Sequence, residues 1–561
     1  MIRTFRTHEI RKQTELSSSL WNFRPCEGPF SSQSRQVLVP GCWESYPEFS
    51  DYRGKAVYSR TIECSGKNIR LEFKGISHTA HIFLDGEIIG SHYNAYTPFS
   101  LIRKRPAPGT HLLEVIADNR FSEDSSLHIP NDYYSYGGIS RGVLLEELED
   151  LYLSYVHITP VHSPDGWSAQ IEVCVENLSD RAVPVTVCSE ILGHVLRTGP
   201  VSVPASGSTL ISGTLPVPDA PCWSPESPQL CLVRTTLYHG GQPVDDLIER
   251  TGFRTVAIDG NRLLLNGRPL RIKGFCRHED HPQFGCALPL AAIQYDLDTI
   301  RHLGANSIRT SHYPNDELFL DLCDELGILV WEENHARGLS EEQMKNPNFE
   351  KQCEDCIREM ITAHYNHPSI YIWGILNECA SDTEYGRRCY QKQYEQIRIL
   401  DPNRPRSSAS CRFKTDLCLG EPEVVSYNIY PEWYVNRPTA EYLEELYRWV
   451  QEESEGTGKP FLITEVGAGA VYGYRTPTQV KWSEEYQAKA LEHQLSAILS
   501  KEECCGVYIW QYADVRVSEE WFASRPKTMN NKGIVDEYRR RKLSYEVVKR
   551  IFESYGNYFA S

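Results

Sequence analysis

The stretch from Ile370 to Glu378 reads IYIWGILNE: an unbroken apolar run that stops abruptly at an asparagine and a glutamate. Apolar side chains without alternation fit a strand buried on both faces, as in a parallel sheet covered by helices. The same grammar recurs on either side. It appears in LRIKGF (Leu270–Phe275), ANSIRT (Ala305–Thr310) and GILVWEE (Gly327–Glu333), then in VVSYNIY (Val424–Tyr430), PFLITEV (Pro460–Val466) and GVYIWQYA (Gly506–Ala513). Amphipathic stretches lie between several of them, such as LAAIQYDLDTIRHLG and EYLEELYRWVQEE. Strand–helix alternation over this length predicts a (β/α)8 TIM barrel from residue 256 to 561. Its active site belongs at the C-terminal ends of the strands.

Upstream the pattern differs. AVYSRTIE, IRLEFKGI, TAHIFLDGEIIG and HLLEVIADN alternate apolar and polar positions, and Asp85-Gly86 has the chemistry of a hairpin turn. Residues 1–150 are therefore expected to form a jelly-roll-like β-sandwich of the sugar-binding kind. AQIEVCVENL, VPVTVCSEIL and CLVRTTLYH, separated by Pro- and Ser-rich segments, continue the alternation. They predict a smaller immunoglobulin-like sandwich over 151–255.

The formal net charge of −17, with no basic stripe, argues against a nucleic-acid partner. No run of apolar residues is long enough to span a membrane, and MIRTFRTHEIRKQTE lacks the apolar core of a secretory signal. The 18 cysteines are scattered without a framework, which predicts reduced thiols and a cytoplasmic protein. Cys353 and Cys356 form a single C-x-x-C, weak as a metal or redox signal.

The ends of the apolar runs carry the chemistry. Arg277, His278, Glu279 and Asp280 follow the first, and Ser311, His312 and Tyr313 follow the second. Asn377 and Glu378 end the run quoted above, Asn428 and Tyr430 lie in the next, and Glu465 and Trp510 end the last two. Two carboxylates on different strands, Glu378 and Glu465, suit glycoside hydrolysis. One protonates a poor leaving group and the other attacks the anomeric carbon or activates water. Asn377 is a donor for the sugar 2-hydroxyl, Tyr430 an orienting partner for the nucleophile, and Trp510 a floor for the apolar face of the ring.

Across nearly its whole length the chain resembles the β-glucuronidase branch of glycoside hydrolase family 2. The resemblance rests on VPGCWESY, AYTPFS, NDYYSYGGISR, GFCRHED, IRTSHYP, NHPSIYIWGILNE, ITEVG and YIWQYAD. It implies a retaining mechanism with Glu378 as acid/base and Glu465 as nucleophile, their carboxyls about 5–5.5 Å apart. It implies that Asp132, from the first domain, reaches into the barrel to bind a sugar hydroxyl. MNNKGIVDEYRRRK (Met529–Lys542) contains Asn530-x-Lys532. Read alone this is a surface loop; in a family 2 enzyme that cuts uronic acids it matches the motif that clamps the sugar carboxylate. The expected substrate contacts are thus Asp132, His312, Arg337, Asn377, Tyr430, Tyr434, Trp510, Asn530 and Lys532. No cofactor is expected, and no metal, although His278, Glu279 and His312 are ligand types. A homo-oligomer, dimer or tetramer, is compatible with this scaffold.

One loop departs from the glucuronidase pattern. After GILVWEE the chain reads NHARG, with His335 and Arg337. Arg337 either pairs with Glu332 or Glu333 or meets the sugar near its 4-hydroxyl or carboxylate. The second option favours a β-galacturonide over a β-glucuronide, the two differing in the orientation of that hydroxyl. The short segment that follows, GLSEEQMKNPNFEKQ, predicts an open mouth. Arg525 lies near a position where relatives carry another carboxylate-contacting arginine, but its spacing is shifted by one and it is not counted among the contacts. The competing readings are a β-glucuronidase proper, a neutral-sugar β-galactosidase or β-mannosidase, and a non-catalytic carbohydrate-binding protein. The last would require one of the two glutamates to be missing.

Overall fold

Eight parallel strands close into a barrel in the computed structural model, which describes residues 4–559. They are Ile272–Cys276 (β1), Ser307–Arg309 (β2), Leu329–Glu333 (β3), Ile370–Ile375 (β4), Arg406–Ser410 (β5), Val425–Asn428 (β6), Phe461–Val466 (β7) and Cys504–Ile509 (β8). All but β5 are buried at every residue, which is why they read as unbroken apolar runs. The seam lies between β1 and β8. There Gly506 holds φ +140°, and a Cβ would stand 2.1 Å from the Ile272 carbonyl oxygen, so only glycine lets the barrel close.

β5 has the sequence RSSAS and carries no apolar run. Its Ser407 side chain points into the wall, donating to the Val424 carbonyl at 2.6 Å and sharing a hydrogen bond with Ser426. Helices follow the other strands: Leu290–His302, Glu317–Leu326, Phe349–His364, Glu384–Leu400, Thr439–Glu453, Glu484–Ser500 and Ser544–Ser554. From β5 to β6 the chain passes without a helix. Cys353 and Cys356 are buried in the apolar face of Phe349–His364, and all eighteen cysteines are free.

The first domain packs a four-stranded and a six-stranded antiparallel sheet around one core that includes Trp21, Phe23, Tyr58 and Phe73. Asp85 and Gly86, both at positive φ, form the predicted hairpin between Thr79–Leu84 and Glu87–Tyr93. A second sandwich follows. Its core holds Ile158, Val173, Val187 and Val233, set between Leu151–Ser163, Gly166–Asn177 and Gly207–Pro216 on one side and Val183–Ile191, Cys231–His239 and Gln242–Thr251 on the other.

Both sandwiches dock on the barrel through polar contacts. From the first, Arg141 donates to Glu279 and to the Pro314 carbonyl, each at 2.7 Å, and Tyr136 donates to Asp280 at 2.8 Å. From the second, the Ile158 amide donates to Asn366 Oδ1 at 2.9 Å. Ser518 and Asn131 hydrogen-bond reciprocally, which fixes the segment carrying Asp132 over the barrel mouth.

Neutral histidines fill the interfaces. Burial pushes His78 down to about 4, His335 to about 3 and His157 to about 4, and it holds His128 well below its ordinary value. Their depressed values set a sign. In the unfolded chain these rings take protons near about pH 6.5, whereas the folded state refuses them until far lower pH. The stability these rings contribute is therefore full above about pH 6.5 and falls as the pH drops toward 4, by about 1.4 kcal/mol per pH unit per ring. Buried acids pushed up, such as Glu465 to about 7 and Asp280 to about 6, work in the opposite direction, so denaturation midpoints between pH 7 and 5 isolate one ring by comparing wild type with a variant that lacks it. Because His157 stacks on Tyr365 at 4.2 Å, His157→Phe keeps the packing and is expected to make the slope shallower. An unchanged slope would count against a neutral ring there.

Candidate active site

The two glutamates predicted from the strand ends meet at the C-terminal face of the barrel. Glu465 lies in β7 and is 4% exposed; Glu378 follows β4 at φ +54°, two residues after Leu376 at φ +47°. Two non-glycine residues in the left-handed region are strained backbone, retained where the surrounding structure fixes them. Here the Glu378 amide donates to the Ala409 carbonyl of β5 at 2.9 Å.

A chain of hydrogen bonds joins the acids. Arg309 of β2, fully buried, donates to Glu465 Oε1 at 2.8 Å and to Asn377 Oδ1 at 2.7 Å. Asn428 Nδ2 donates to the same Asn377 oxygen at 3.0 Å and to Glu378 Oε1 at 2.9 Å. Asn377 thereby spends its oxygen twice and keeps a buried Nδ2 without a partner, a donor reserved for something else. Tyr430 donates to Glu465 Oε2 at 2.6 Å. Burial and the charge of Glu378 push Glu465 up to about 7, against the opposing pull of Arg309 and Tyr430. The contacts from Arg309 and Tyr430 stabilise the anion on Glu465 against its burial and the charge of Glu378.

Arg309 also donates to both oxygens of Glu333, at 2.9 and 3.0 Å. His312 Nδ1 lies 2.8 Å from Glu333 Oε1, and its Nε2, without a hydrogen bond, faces Glu465 Oε1 at 3.9 Å. Trp510 is 2% exposed and stacks on the His312 ring at 4.9 Å.

A second cluster sits beside the first. Asp132, 4% exposed, is ion-paired to Arg337 at 3.2 Å and Arg525 at 3.3 Å, and accepts from Asn530 Nδ2 at 3.1 Å. Burial would raise its carboxyl, but Arg337, Lys532 and Arg525 hold it well below the usual range. Lys532 is 3% exposed, so it is no surface-loop residue. Among the described residues no carboxylate lies within ion-pair distance of its Nζ, which stands 5.1 Å from the ring centre of Tyr434 and 5.8 Å from that of Tyr430. Tyr434 is largely exposed; burial of its phenol is outweighed by Lys532, which lowers it. Asn530 Nδ2 donates to Asp132 Oδ2 at 3.1 Å and, more weakly, to the Asp132 carbonyl at 3.4 Å, and its Oδ1 is unpartnered.

Arg337 does not pair with Glu332 or Glu333. Those belong to His364 and to Arg309 with His312, whereas Arg337 Nη2 reaches Asp132 and stands 3.8 Å from Glu378. Glu279 faces Arg141 and not His278, whereas the His278 and His312 rings meet edge-on at 5.6 Å. Two other clusters, His8 with Asp245 and Asp246, and Asp321 with Asp324 and His367, bring ligand atoms close together. Each is answered by an arginine: Arg11 on Asp245, and Arg6 on Asp321 and His367.

Sequence reasoning missed Arg309 and Glu333 as site residues. The signal was an arginine inside an otherwise apolar strand, since a charge buried there must be paired. Arg525, set aside for its spacing, joins Arg337 on Asp132.

A buried acid and a partly exposed one, linked across a barrel mouth with unspent donors around them, are the equipment of a glycoside hydrolase. Comparison with known families agrees: residues 256–555 match the glycosyl hydrolases family 2 TIM barrel domain, and residues 151–254 match a second glycosyl hydrolases family 2 domain. The chain belongs to glycoside hydrolase family 2. It is 65% identical, with a TM-score of 0.97 and full coverage of both chains, to a family 2 β-galacturonidase from Eisenbergiella tayi solved with bound galacturonate. It is 29% identical to the β-glucuronidase of Sus scrofa, over 94% of this chain and 85% of that one. To the β-glucuronidase of Paenibacillus borealis it is 26% identical, over 91% and 89% of the two chains. Among the described residues no helix is long and apolar enough to cross a membrane.

Proposed function

We propose that this enzyme is a retaining exo-hydrolase that releases a terminal β-linked hexuronic acid, with a preference for β-D-galacturonides. The observation that carries the reading is Lys532, a buried cation with no acid in ion-pair range among the described residues, next to Arg337 and Arg525. A buried ammonium calls for an anion, and a uronate carboxylate supplies one that a neutral hexoside lacks. The similarity to the E. tayi galacturonidase supports the preference.

Glu465, with its charge held by Arg309 and Tyr430, attacks the anomeric carbon. Glu378 gives its proton to the departing oxygen, then takes one from the water that releases the sugar. The free Nδ2 of Asn377 donates to the 2-hydroxyl. Asp132 accepts from a hydroxyl, and Arg337, between Asp132 and Glu378, meets the 4-hydroxyl side of the ring. After Arg337 the chain makes only the short helix Glu341–Met344 before Phe349–His364, which leaves room for a glycan aglycone.

One substrate panel tests the reading: 4-nitrophenyl β-galacturonide, β-glucuronide and β-galactoside against wild type, Lys532→Ala and Arg337→Ala. Charge-assisted hydrogen bonds contribute about 1.5–3 kcal/mol each, so Lys532→Ala is expected to lower kcat/KM on both uronides by roughly 10- to 150-fold. Arg337→Ala is expected to erode the galacturonide preference. A wild-type preference for the glucuronide that Arg337→Ala does not change would make this a β-glucuronidase. Galactoside turnover above uronide turnover, untouched by Lys532→Ala, would make it a neutral-sugar hydrolase.

A further inference from the structure

Three buried histidines run as a column from the first domain to the loop that bears Arg337. His78 stacks on His128 at 4.1 Å between ring centres, and His128 meets His335 edge-on at 4.3 Å. The rings are 1–2% exposed. His78 and His128 belong to the first domain; His335 stands two residues before Arg337. The column is braced on its sides. Tyr93 shares a hydrogen bond with His128 Nδ1 at 2.8 Å and accepts from the Leu127 amide at 3.0 Å. Tyr96, stacked on Tyr313 at 3.9 Å, lies edge-on to His335 at 4.9 Å. Tyr133 shares a hydrogen bond with His335 Nε2 at 3.3 Å.

The loop is pinned differently on its barrel side. The Asn334 amide donates to the Gly374 carbonyl at 3.1 Å, the Asn334 side chain donates to Gln393 at 3.1 Å, and the Gly338 amide donates to the Asn377 carbonyl at 2.8 Å. On the first-domain side Arg337 itself donates to Asn131 and pairs with Asp132, and His335 packs the loop backbone two residues earlier against the same domain. Tyr133 adjoins Asp132, so one wall holds both members of the Asp132–Arg337 pair.

We propose that the His78–His128–His335 column is a positioning device through which the first domain sets the placement of Arg337 over the sugar site. This rests on the reading above, in which Arg337 meets the substrate. A stacked pair that meets a third ring edge-on suits that role, since close-packed rings hold one geometry without needing charge, and a neutral column adds no cation beside the arginine.

The test is a double-mutant cycle between His128→Leu, which keeps volume but loses the flat ring, and Arg337→Ala, read as kcat and KM on 4-nitrophenyl β-galacturonide. Unfolding midpoints confirm that each variant is folded. His128→Leu is expected to lower kcat/KM about tenfold, mainly through KM, and His128→Phe, which restores a flat ring, to stay within about threefold of wild type. In the Arg337→Ala background His128→Leu is expected to have no further effect, within about twofold. Equal losses in both backgrounds, or none in the wild-type background, would overturn the proposal while leaving the role of Arg337 intact. An inert Arg337→Ala would instead bring down the reading on which it rests. Should His128→Leu fold poorly, Tyr133→Phe, which removes only the hydroxyl facing His335, takes its place, with an expected loss of about threefold and the same dependence on Arg337.

Discussion

Replacing Glu465 by alanine is expected to reduce turnover of a uronide by about 10⁴- to 10⁶-fold, the scale on which loss of a nucleophile is felt. Nothing nearby substitutes for it. Glu333 is held on both oxygens by Arg309, and Tyr430 is a phenol that burial and the neighbouring charge of Glu378 keep protonated even without Glu465. The alanine leaves a space beside Arg309, whose Nη1 loses its anion. A small anion such as azide is expected to enter that space and restore part of the turnover. Its nitrogen attacks the anomeric carbon from the face Glu465 used, the bond to the leaving oxygen breaks, and the product is a glycosyl azide of inverted configuration. Assignment of that configuration by NMR checks the geometry. Activity near the wild-type level, or rescue with retained configuration, would remove Glu465 from the role of nucleophile.

Glu378→Ala is expected to behave differently, because the need for a proton depends on the leaving group. With an alkoxide aglycone the loss is expected at about 10²- to 10⁴-fold. With a dinitrophenolate, which departs without a proton, formation of the glycosyl-enzyme is expected to be nearly unimpaired. Hydrolysis of that intermediate still needs a base, so it should accumulate and give a burst of released phenolate. A loss of equal size across leaving groups, with no burst, would mean that Glu378 orients substrate and carries no proton. The contact from Asn428 aims Glu378 without neutralising it, and Arg337 stands 3.8 Å from its Oε2.

Much of this was legible in the residues. Runs such as IYIWGIL announce a barrel strand because burial on both faces removes any need for polar positions. Asn377, Glu378, Asn428 and Glu465 stood out as polar groups ending such runs, and the structure joins all four through hydrogen bonds. β5 escaped because RSSAS meets its burial with serine hydroxyls bonded to the neighbouring strand, and because no helix follows it to mark the repeat. Arg309 escaped because it lies inside a run, where the eye expects only apolar residues. The partners of Arg337 were illegible for another reason. Glu332 and Glu333 are close in sequence, but each is claimed by a side chain from another element, and the acid that answers Arg337 comes from a separate domain. Pairings of that range are set by docking, which no local pattern encodes.

Asp132 has a consequence for how such an enzyme can be rebuilt or can diverge. The carboxylate that answers two arginines of the barrel is supplied by the first sandwich, and it is buried where the two meet. The barrel is therefore not a portable cassette: cut free, it would face water with uncompensated guanidinium groups and an unfinished wall. By the same token, grafting a different NDYYSY segment onto an unchanged barrel offers a route to new sugar selectivity that leaves every barrel strand intact.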